Sequence, residues 1–285
     1  MGNKVENIRN VINYIENNLT EKMTLTSIAT GVGYSKYHLH RMFVETVGLS
    51  IHDYVQRRQL TEAAKLLVFS KQSILDISLI AGYESQQAFT NIFKQMYKKT
   101  PNEYRMNEEF YPLQLRFDLA QTKRKKLSQE EMQENIRFAV KADIPACLEL
   151  TNLVIDGFPN LNEKEYLAEL ERGISEQRVL ILTDDTMAVA LMFVNFQTGS
   201  IDFFGVHPLY RKCGITKIFL DKIMKEFLKD KDITITTFRE GDKADTGYRK
   251  AYKELGFAEA ELLVEFGYPT QKLVLSSKKR GNTNE

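Results

Sequence analysis

Residues 25–43 read LTSIATGVGYSKYHLHRMF, and residues 74–93 read ILDISLIAGYESQQAFTNIF. Each stretch has apolar residues at helical spacing, then glycine, then a serine before a second apolar run. Glycine tolerates the left-handed backbone of a tight turn, and serine side chains cap the first amide groups of a helix. Each stretch therefore predicts a short helix, a tight turn and a second helix.

The two stretches repeat at a constant offset of 50 residues. The matching pairs are Ser35 and Ser85, Leu39 and Phe89, Phe43 and Phe93, and Tyr54 and Tyr104. A long helix, predicted from about residue 51 to residue 69, separates them. One such hairpin is typical of plain helix packing, but two in register favour a DNA-binding module. The long helix can hold two recognition helices about 34 Å apart, which is one turn of DNA.

The same residues resemble the AraC/XylS family of bacterial transcription regulators. The resemblance rests on IAGYES at residues 80–85, Phe89, Phe93 and TPNEYR at residues 100–105. GYSKYHLHRMF at residues 33–43 and ESQQ at residues 84–87 are similar to the MarA–SoxS–Rob branch. The resemblance covers about residues 5–107. It implies a regulator that binds double-stranded DNA in the cytoplasm, with RNA polymerase as a further candidate partner.

The resemblance also implies which side chains touch DNA. They are Tyr37, His40 and Arg41 in the first recognition helix and Gln86, Gln87 and Asn91 in the second. Arginine pairs bidentately with guanine, whereas Gln and Asn suit adenine edges or phosphates. The chain departs from the family at Asn91, where arginine is common, and at Lys98, where glycine is common. We therefore expect the first helix-turn-helix to read bases more strongly than the second. For single residues such as Tyr37, surface packing stays open as an alternative to a DNA contact.

The texture of the sequence changes from residue 135 onward. Short β-branched runs alternate with longer amphipathic stretches, which is typical of a mixed α/β domain. We therefore expect two domains: an all-α double helix-turn-helix domain over residues 1–107 and a mixed-sheet α/β domain over residues 135–276. Residues 108–134 are interpreted as a linker with a short helix near residues 128–134, and residues 277–285 as a flexible tail.

Residues 200–220, SIDFFGVHPLYRKCGITKIFL, predict a strand, a loop and an amphipathic helix. The free amide groups at such a helix N-terminus suit a pyrophosphate. The stretch resembles motif A of the GNAT acyltransferases at Val206, Pro208, Tyr210, Arg211, Gly214 and Ile215, while Thr216 replaces the usual small residue. Residues 136–150 and 248–257 resemble the first strand and helix and the closing helix and strand of that family, so the likeness covers the whole back half.

The GNAT resemblance implies acetyl-CoA as co-substrate, an amine as acceptor and no metal. The residues implied for acetyl-CoA are Val206, Arg211, Lys212, Cys213, Gly214, Ile215 and Thr216. Tyr252 matches the general acid of the family. Three carboxylates near strand ends, Asp202, Glu240 and Asp242, are candidate bases without a clear preference. Three interpretations stay open: an active enzyme fused to a regulator, an enzyme recruited to DNA, and a regulator whose catalytically inactive second domain senses acyl-CoA or another small-molecule effector.

Composition limits the classes of protein that fit. Only two cysteines occur, Cys147 and Cys213, and their spacing favours neither a disulfide scaffold nor a zinc site. No apolar run reaches the ~18 residues of a membrane helix, and the first ten residues lack the apolar core of a signal peptide. Residues 1–107 hold 13 Lys and Arg against nine Asp and Glu. That mild excess suits a nucleic-acid partner but does not establish one. The basic run at residues 123–126 fits a solvated linker better than a DNA contact.

Overall fold

The computed structural model describes residues 2–117, 119, 128–154, 163–184, 187–211 and 213–277. They form two compact units, the first holding the described residues up to 119 and the second those from 128 onward. Across these ranges, no helix is both long enough and apolar enough to cross a membrane. The predicted fold class, a helical first domain and a mixed-sheet second domain, is confirmed.

The regular elements of the first unit, within the described residues, are all helices. Its helices are α1 (Gly2–Asn17), α2 (Leu25–Gly31), α3 (Lys36–Val47), α4 (Ile51–Phe69), α5 (Ile74–Ile80), α6 (Gln86–Tyr97) and α7 (Pro101–Asn107). The pairs α2–α3 and α5–α6 form the two helix-turn-helix units. The bounds of α4 coincide with those predicted for the separating helix, and both α3 and α7 pack against it.

Capping residues explain where these helices begin. Thr24 forms a capping box with Ser27 at the start of α2. Ser35 accepts a hydrogen bond from the amide of His38, and Ser85 accepts one from the amide of Ala88. Both serines therefore cap the second helix of their unit, as the sequence predicts.

The turn glycines differ in their roles. Gly33 and Gly82 have φ angles of 73° and 79°, so they supply the left-handed residue that each turn requires. Gly31, which the sequence also assigns to the turn, instead ends α2. A Cβ atom there would lie 2.4 Å from the ring of Tyr14, so this glycine is needed for close packing.

The linker predicted at residues 108–134 is wrong at both ends. Residues 108–117 pack against the helices of the first unit. The Tyr111 amide donates to the Tyr104 hydroxyl at 2.9 Å, and the Tyr111 carbonyl accepts from that hydroxyl. The amide of Leu113 donates to Thr61 Oγ1 at 3.0 Å, and the Phe117 ring stacks on the ring of Tyr54. Apolar burial on α4 and α7 therefore extends the first unit beyond residue 107. The basic run at residues 123–126 lies outside the described residues.

The second unit is a seven-stranded mixed sheet with helices. Its elements are α8 (Gln129–Asn135), β1 (Arg137–Phe138), α9 (Ile144–Val154), α10 (Glu163–Ser175), β2 (Val179–Asp184), β3 (Met187–Asn195), β4 (Ser200–Val206), α11 (Ile215–Glu226), β5 (Ile233–Phe238), α12 (Tyr248–Glu254), β6 (Ala258–Glu265) and β7 (Tyr268–Leu275). The strand order is β1-β2-β3-β4-β5-β7-β6. α8 lies where the sequence predicts a short helix, but its Met132 is buried and it packs on α11, so it belongs to this unit. The tail beyond residue 277 lies outside the described residues.

The strands β4 and β5 form the parallel pair of this sheet, and they diverge. Their ladder joins Ser200 to Thr234 and Ile201 to Ile235, and extends no further along the two described strands. β4 nevertheless continues to Val206 and β5 to Phe238. The divergence opens the sheet at the carboxyl ends of both strands, which is also where the chain leaves β4 for the loop before α11.

Candidate nucleic-acid interface and phosphate-binding loop

The first recognition helix, α3, has one buried face and one exposed face. Leu39 and Phe43, four residues apart, are fully buried. Three residues of α3 that the sequence assigns to DNA lie on its exposed surface: Tyr37, His40 and Arg41. The exposed fraction of Tyr37 is 88%, so its ring is fully available to a partner on this face of α3.

The second recognition helix, α6, repeats this arrangement. Phe89 and Phe93 are buried, and their rings join a cluster with Tyr97, Tyr104 and Tyr111. The residues of α6 that the sequence assigns to DNA, namely Gln86, Gln87 and Asn91, are all exposed. All six predicted contacts therefore lie on the solvent side of the two recognition helices.

Lys98, which stands where glycine is common in the family, introduces backbone strain at the end of α6. It caps the C-terminus of α6 in a left-handed conformation, with φ at 61°. Glycine adopts this conformation without steric strain, whereas a residue with a Cβ atom carries a penalty of about 1 kcal/mol. The strain lies at the end of α6 remote from Gln86 and Gln87.

A buried ion pair fixes α1 to α4 in the middle of the first unit. Arg58 Nη2 lies 2.8 Å from Glu16 Oε2 and 2.9 Å from Glu62 Oε1, and the Tyr54 hydroxyl donates to Glu16 Oε1 at 2.8 Å. Desolvation raises the pKa of Tyr54 well above its ordinary value, with a further contribution from the Glu16 charge.

The loop before α11, which the sequence analysis predicts as a phosphate cradle, leads into the helix through a left-handed glycine. Gly214 is the N-cap of α11 with φ at 74°, and no side chain caps this helix. An added Cβ atom would meet nothing closer than Gln129 Nε2, at 3.6 Å, so the approach to the loop is open. Val206 ends β4 with little exposure, Ile215 is buried, and the side chains of Arg211, Cys213 and Thr216 are partly exposed. Lys212 lies outside the described residues.

Two buried side chains that the sequence analysis did not single out, Asp184 and His207, anchor this loop. The Tyr210 hydroxyl donates to the carboxylate of Asp184, which ends β2. His207 Nδ1 accepts from the Leu209 amide at 3.2 Å. Burial, with a smaller contribution from the Arg211 charge, lowers the pKa of His207 to about 4, so this ring is neutral near pH 7. The available signal was the pair of aspartates, Asp184 and Asp185, at the end of an apolar run.

Tyr252 lies on α12, which packs against β5, on the other side of the divergence from β4. The side chain is buried, and its ring meets that of Phe257 edge to face at 5.6 Å. Desolvation raises the pKa of Tyr252 well above its ordinary value.

The three candidate bases separate in the structure. Asp202 lies within β4 and bonds to Ser200, at the end of the strand away from the loop. Glu240 is exposed, and Asp242 accepts from the Tyr268 hydroxyl with both oxygens at 3.0 Å.

Comparison with known proteins supports the helix-turn-helix assignment of the first unit. Residues 28–107 match the family described as "Helix-turn-helix domain". The probable transcription factor PqrA of Proteus vulgaris is 42% identical over 105 residues, which cover 36% of this chain and 86% of that protein. The uncharacterized regulator YbfP of Bacillus subtilis (strain 168) is 40% identical over 98 residues, 34% of this chain. The match spans only 33% of YbfP.

Two capped helix-turn-helix units with exposed outer faces define a DNA-binding protein. The chain belongs to the AraC family of helix-turn-helix transcription regulators.

One solved structure overlaps weakly with about half of the chain. An acetyltransferase of the GNAT family from Bacillus cereus ATCC 10987 covers 50% of this chain and 96% of its own, with 15% sequence identity and a TM-score of 0.40. That level of similarity is too low to assign the second unit to a family.

Proposed function

We propose that the protein is a transcription regulator that reads two adjacent major-groove segments of double-stranded DNA and binds acetyl-CoA in its second unit. The observation that carries the first part is the pair of recognition helices, α3 and α6, with all six predicted contacts exposed. Two such helices on one chain need no second protomer to read two groove segments.

Arg41 is the residue with the sharpest predicted readout. An exposed arginine on a recognition helix reads guanine through two parallel hydrogen bonds, so Arg41→Ala costs about 1–3 kcal/mol at a single operator position. Footprinting and anisotropy on single-base operator variants measure this loss. Arg116→Ala is the matched control, since this exposed arginine bonds to Asn13 on α1 and lies outside α3 and α6. A uniform loss over all operator variants would instead assign Arg41 to a phosphate.

The second part of the proposal rests on the divergence of β4 and β5 and on the loop that follows β4. Backbone amide groups at the N-terminus of α11 lack partners within the helix and carry partial positive charge, which favours a pyrophosphate. The left-handed Gly214 removes the side chain that would obstruct the approach. The residues present therefore fit acetyl-CoA, and its thioester would supply an activated acyl group.

Gly214→Ala tests this cradle. The methyl group adds strain at a φ of 74° and fills the space in front of the α11 amides, so we expect acetyl-CoA to bind at least about tenfold more weakly, or about 1.4 kcal/mol. Calorimetry on the full chain measures the affinity. Gly267→Ala is matched in backbone angle, also 74°, with open space around it, and should leave the affinity unchanged. Wild-type protein that gives no heat at millimolar acetyl-CoA would refute acyl-CoA binding altogether.

Acetyl transfer to an amine is the second candidate function, and Tyr252 on α12 would be its general acid. In that reaction the amine nitrogen forms a bond to the acyl carbon, the carbon–sulfur bond breaks, and the amine loses a proton while the thiolate gains one. Tyr252 would hand its hydroxyl proton to the sulfur. Regulation by acyl-CoA without turnover is the competing function, and the raised pKa of Tyr252 favours it because a weaker acid protonates a thiolate less readily.

A further inference from the structure

The two helix-turn-helix units meet at a small contact beside α4, built around Gln59. Gln59 Nε2 donates to the carbonyl of Leu19 at 3.0 Å and to the carbonyl of Glu21 at 3.2 Å. Both carbonyls belong to the segment between α1 and α2. The Gln59 side chain therefore ties this segment, which leads into the first helix-turn-helix, to the middle of α4.

The turn of the second helix-turn-helix, between α5 and α6, packs on the other side of the same amide. A Cβ atom on Gly82 would lie 2.8 Å from Gln59 Nε2 and 3.1 Å from the carbonyl oxygen of Glu21. The turn between α5 and α6 therefore lies directly against the segment before α2, with the Gln59 amide between them. Only glycine allows this approach, and its φ of 79° also forms the turn.

An ion pair joins the same two segments at the surface. Lys22 contacts Glu84, which stands two residues before α6, and both side chains are well exposed. Exposed ion pairs contribute little to stability and are screened by salt, so Lys22 and Glu84 add less than the packed contact does. The contact around Gln59 and Gly82 is the part that can hold a fixed geometry.

We propose that Gln59 is a positioning residue that fixes the separation of α3 and α6, and thereby sets the spacing of the two half-sites in the operator. The inference rests on the proposed DNA-binding function. It follows from the connectivity, since α2 and α3 follow Glu21 directly, while Gly82 and Glu84 lead directly into α6. A shift at this contact is passed to both recognition helices.

The affinity for DNA is sensitive to such a shift in the separation of α3 and α6. Adding one base pair between half-sites moves the second groove segment by about 3.4 Å along the axis and rotates it by about 34°. A rigid pair of recognition helices cannot follow both changes without losing base contacts. A loosened pair can adjust, at the cost of affinity for the preferred spacing.

The test uses the full chain and an operator selected in vitro with wild-type protein. Anisotropy titrations at fixed salt compare duplexes with one or two base pairs added or removed between the half-sites. We expect wild type to lose at least about tenfold in affinity for a one-base-pair change. Gln59→Met, which keeps the length of the side chain and removes the donor, should bind the preferred spacing more weakly and reduce the penalty to below about threefold.

Two further variants make the result specific. Gln56→Met makes the same substitution on the same helix, at a glutamine whose side chain makes no hydrogen bond to the described residues, and should keep the wild-type spacing penalty. Gln59→Asn retains the amide and shortens its reach, so it should loosen the spacing as Gln59→Met does, and it replaces that variant if Gln59→Met fails to fold by circular dichroism.

The outcomes distinguish the positioning role of Gln59 from the proposed DNA-binding function on which it rests. A Gln59 variant that keeps the full spacing penalty, or that loses affinity equally at every spacing, would overturn the positioning role while leaving DNA binding intact. Absence of sequence-selective binding by wild type would overturn the proposed DNA-binding function itself, and the inference with it.

Discussion

Glu16→Ala is expected to destabilise the first unit by about 3–5 kcal/mol, because it leaves the charge of Arg58 buried without its partner. The Arg58 side chain is 7% exposed and that of Glu16 is 8% exposed. Arg58 Nε and Nη2 both bond to the Glu16 carboxylate, and Nη1 donates to the carbonyl of Gln114 at 3.1 Å. The variant also removes the acceptor of the Tyr54 hydroxyl, which adds an unsatisfied buried group.

Loss of a proton from Arg58 cannot relieve this cost. Burial lowers the pKa of Arg58, but the hydrogen bonds and charge of Glu16 outweigh burial and hold the pKa above its ordinary value. Glu16→Ala removes that contribution, but a guanidinium stays protonated at any pH where the protein folds, since its ordinary pKa is above about 12. The buried charge is then left with the half-exposed Glu62 as its carboxylate partner, and the link between α1 and α4 is lost.

Glu62→Ala is the matched control for this prediction. Glu62 bonds to the same Arg58 nitrogen, but its side chain is 44% exposed, so its loss should cost less than about 1 kcal/mol. Urea unfolding followed by circular dichroism gives the change in free energy of unfolding, and hydrogen exchange in α1 and α4 assigns that change to the first unit. Equal effects of the two substitutions would contradict the argument from burial.

Local signals predicted the elements of the first unit. Ser35 and Ser85 stand before apolar runs, and the structure places both as helix caps. The pairs with i, i+4 spacing, such as Phe89 and Phe93, predict which face of a helix is buried and hence which side chains face outward. Such signals depend only on neighbours in the chain, so one sequence contains them in full.

Long-range contacts account for what the sequence analysis missed. The segment after α7 has no helical pattern, and contacts of Leu113 with Thr61 and of Phe117 with Tyr54, both far along the chain, make it part of the first unit. Gln59 looked like an ordinary helix residue until Glu21 and Gly82 were brought beside it. Periodicity cannot reveal a contact between segments that lie about 40 to 60 residues apart.

Tyr252→Phe is the prediction that separates an enzyme from a sensor. If the second unit transfers acetyl groups, removing the hydroxyl should lower turnover by about 10²–10⁴-fold, the usual contribution of a positioned general acid. A coenzyme thiol has a pKa near 8.5 and a free tyrosine near 10, so the proton transfer is already uphill. Burial raises the pKa of Tyr252 further, which makes the step depend on close contact with the sulfur as the bond breaks.

The measurement is the release of free thiol from acetyl-CoA over a panel of amines, with acetyl-CoA affinity determined in parallel by calorimetry. Tyr166→Phe is the control, because this tyrosine is likewise in the second unit, and its hydroxyl bonds to Thr151 at 2.6 Å between α9 and α10. A drop in turnover for Tyr252→Phe alone, with unchanged affinity, identifies the acid. Wild-type protein that binds acetyl-CoA but acetylates no amine assigns the second unit to sensing, because then its diverging strands and open loop serve recognition without chemistry.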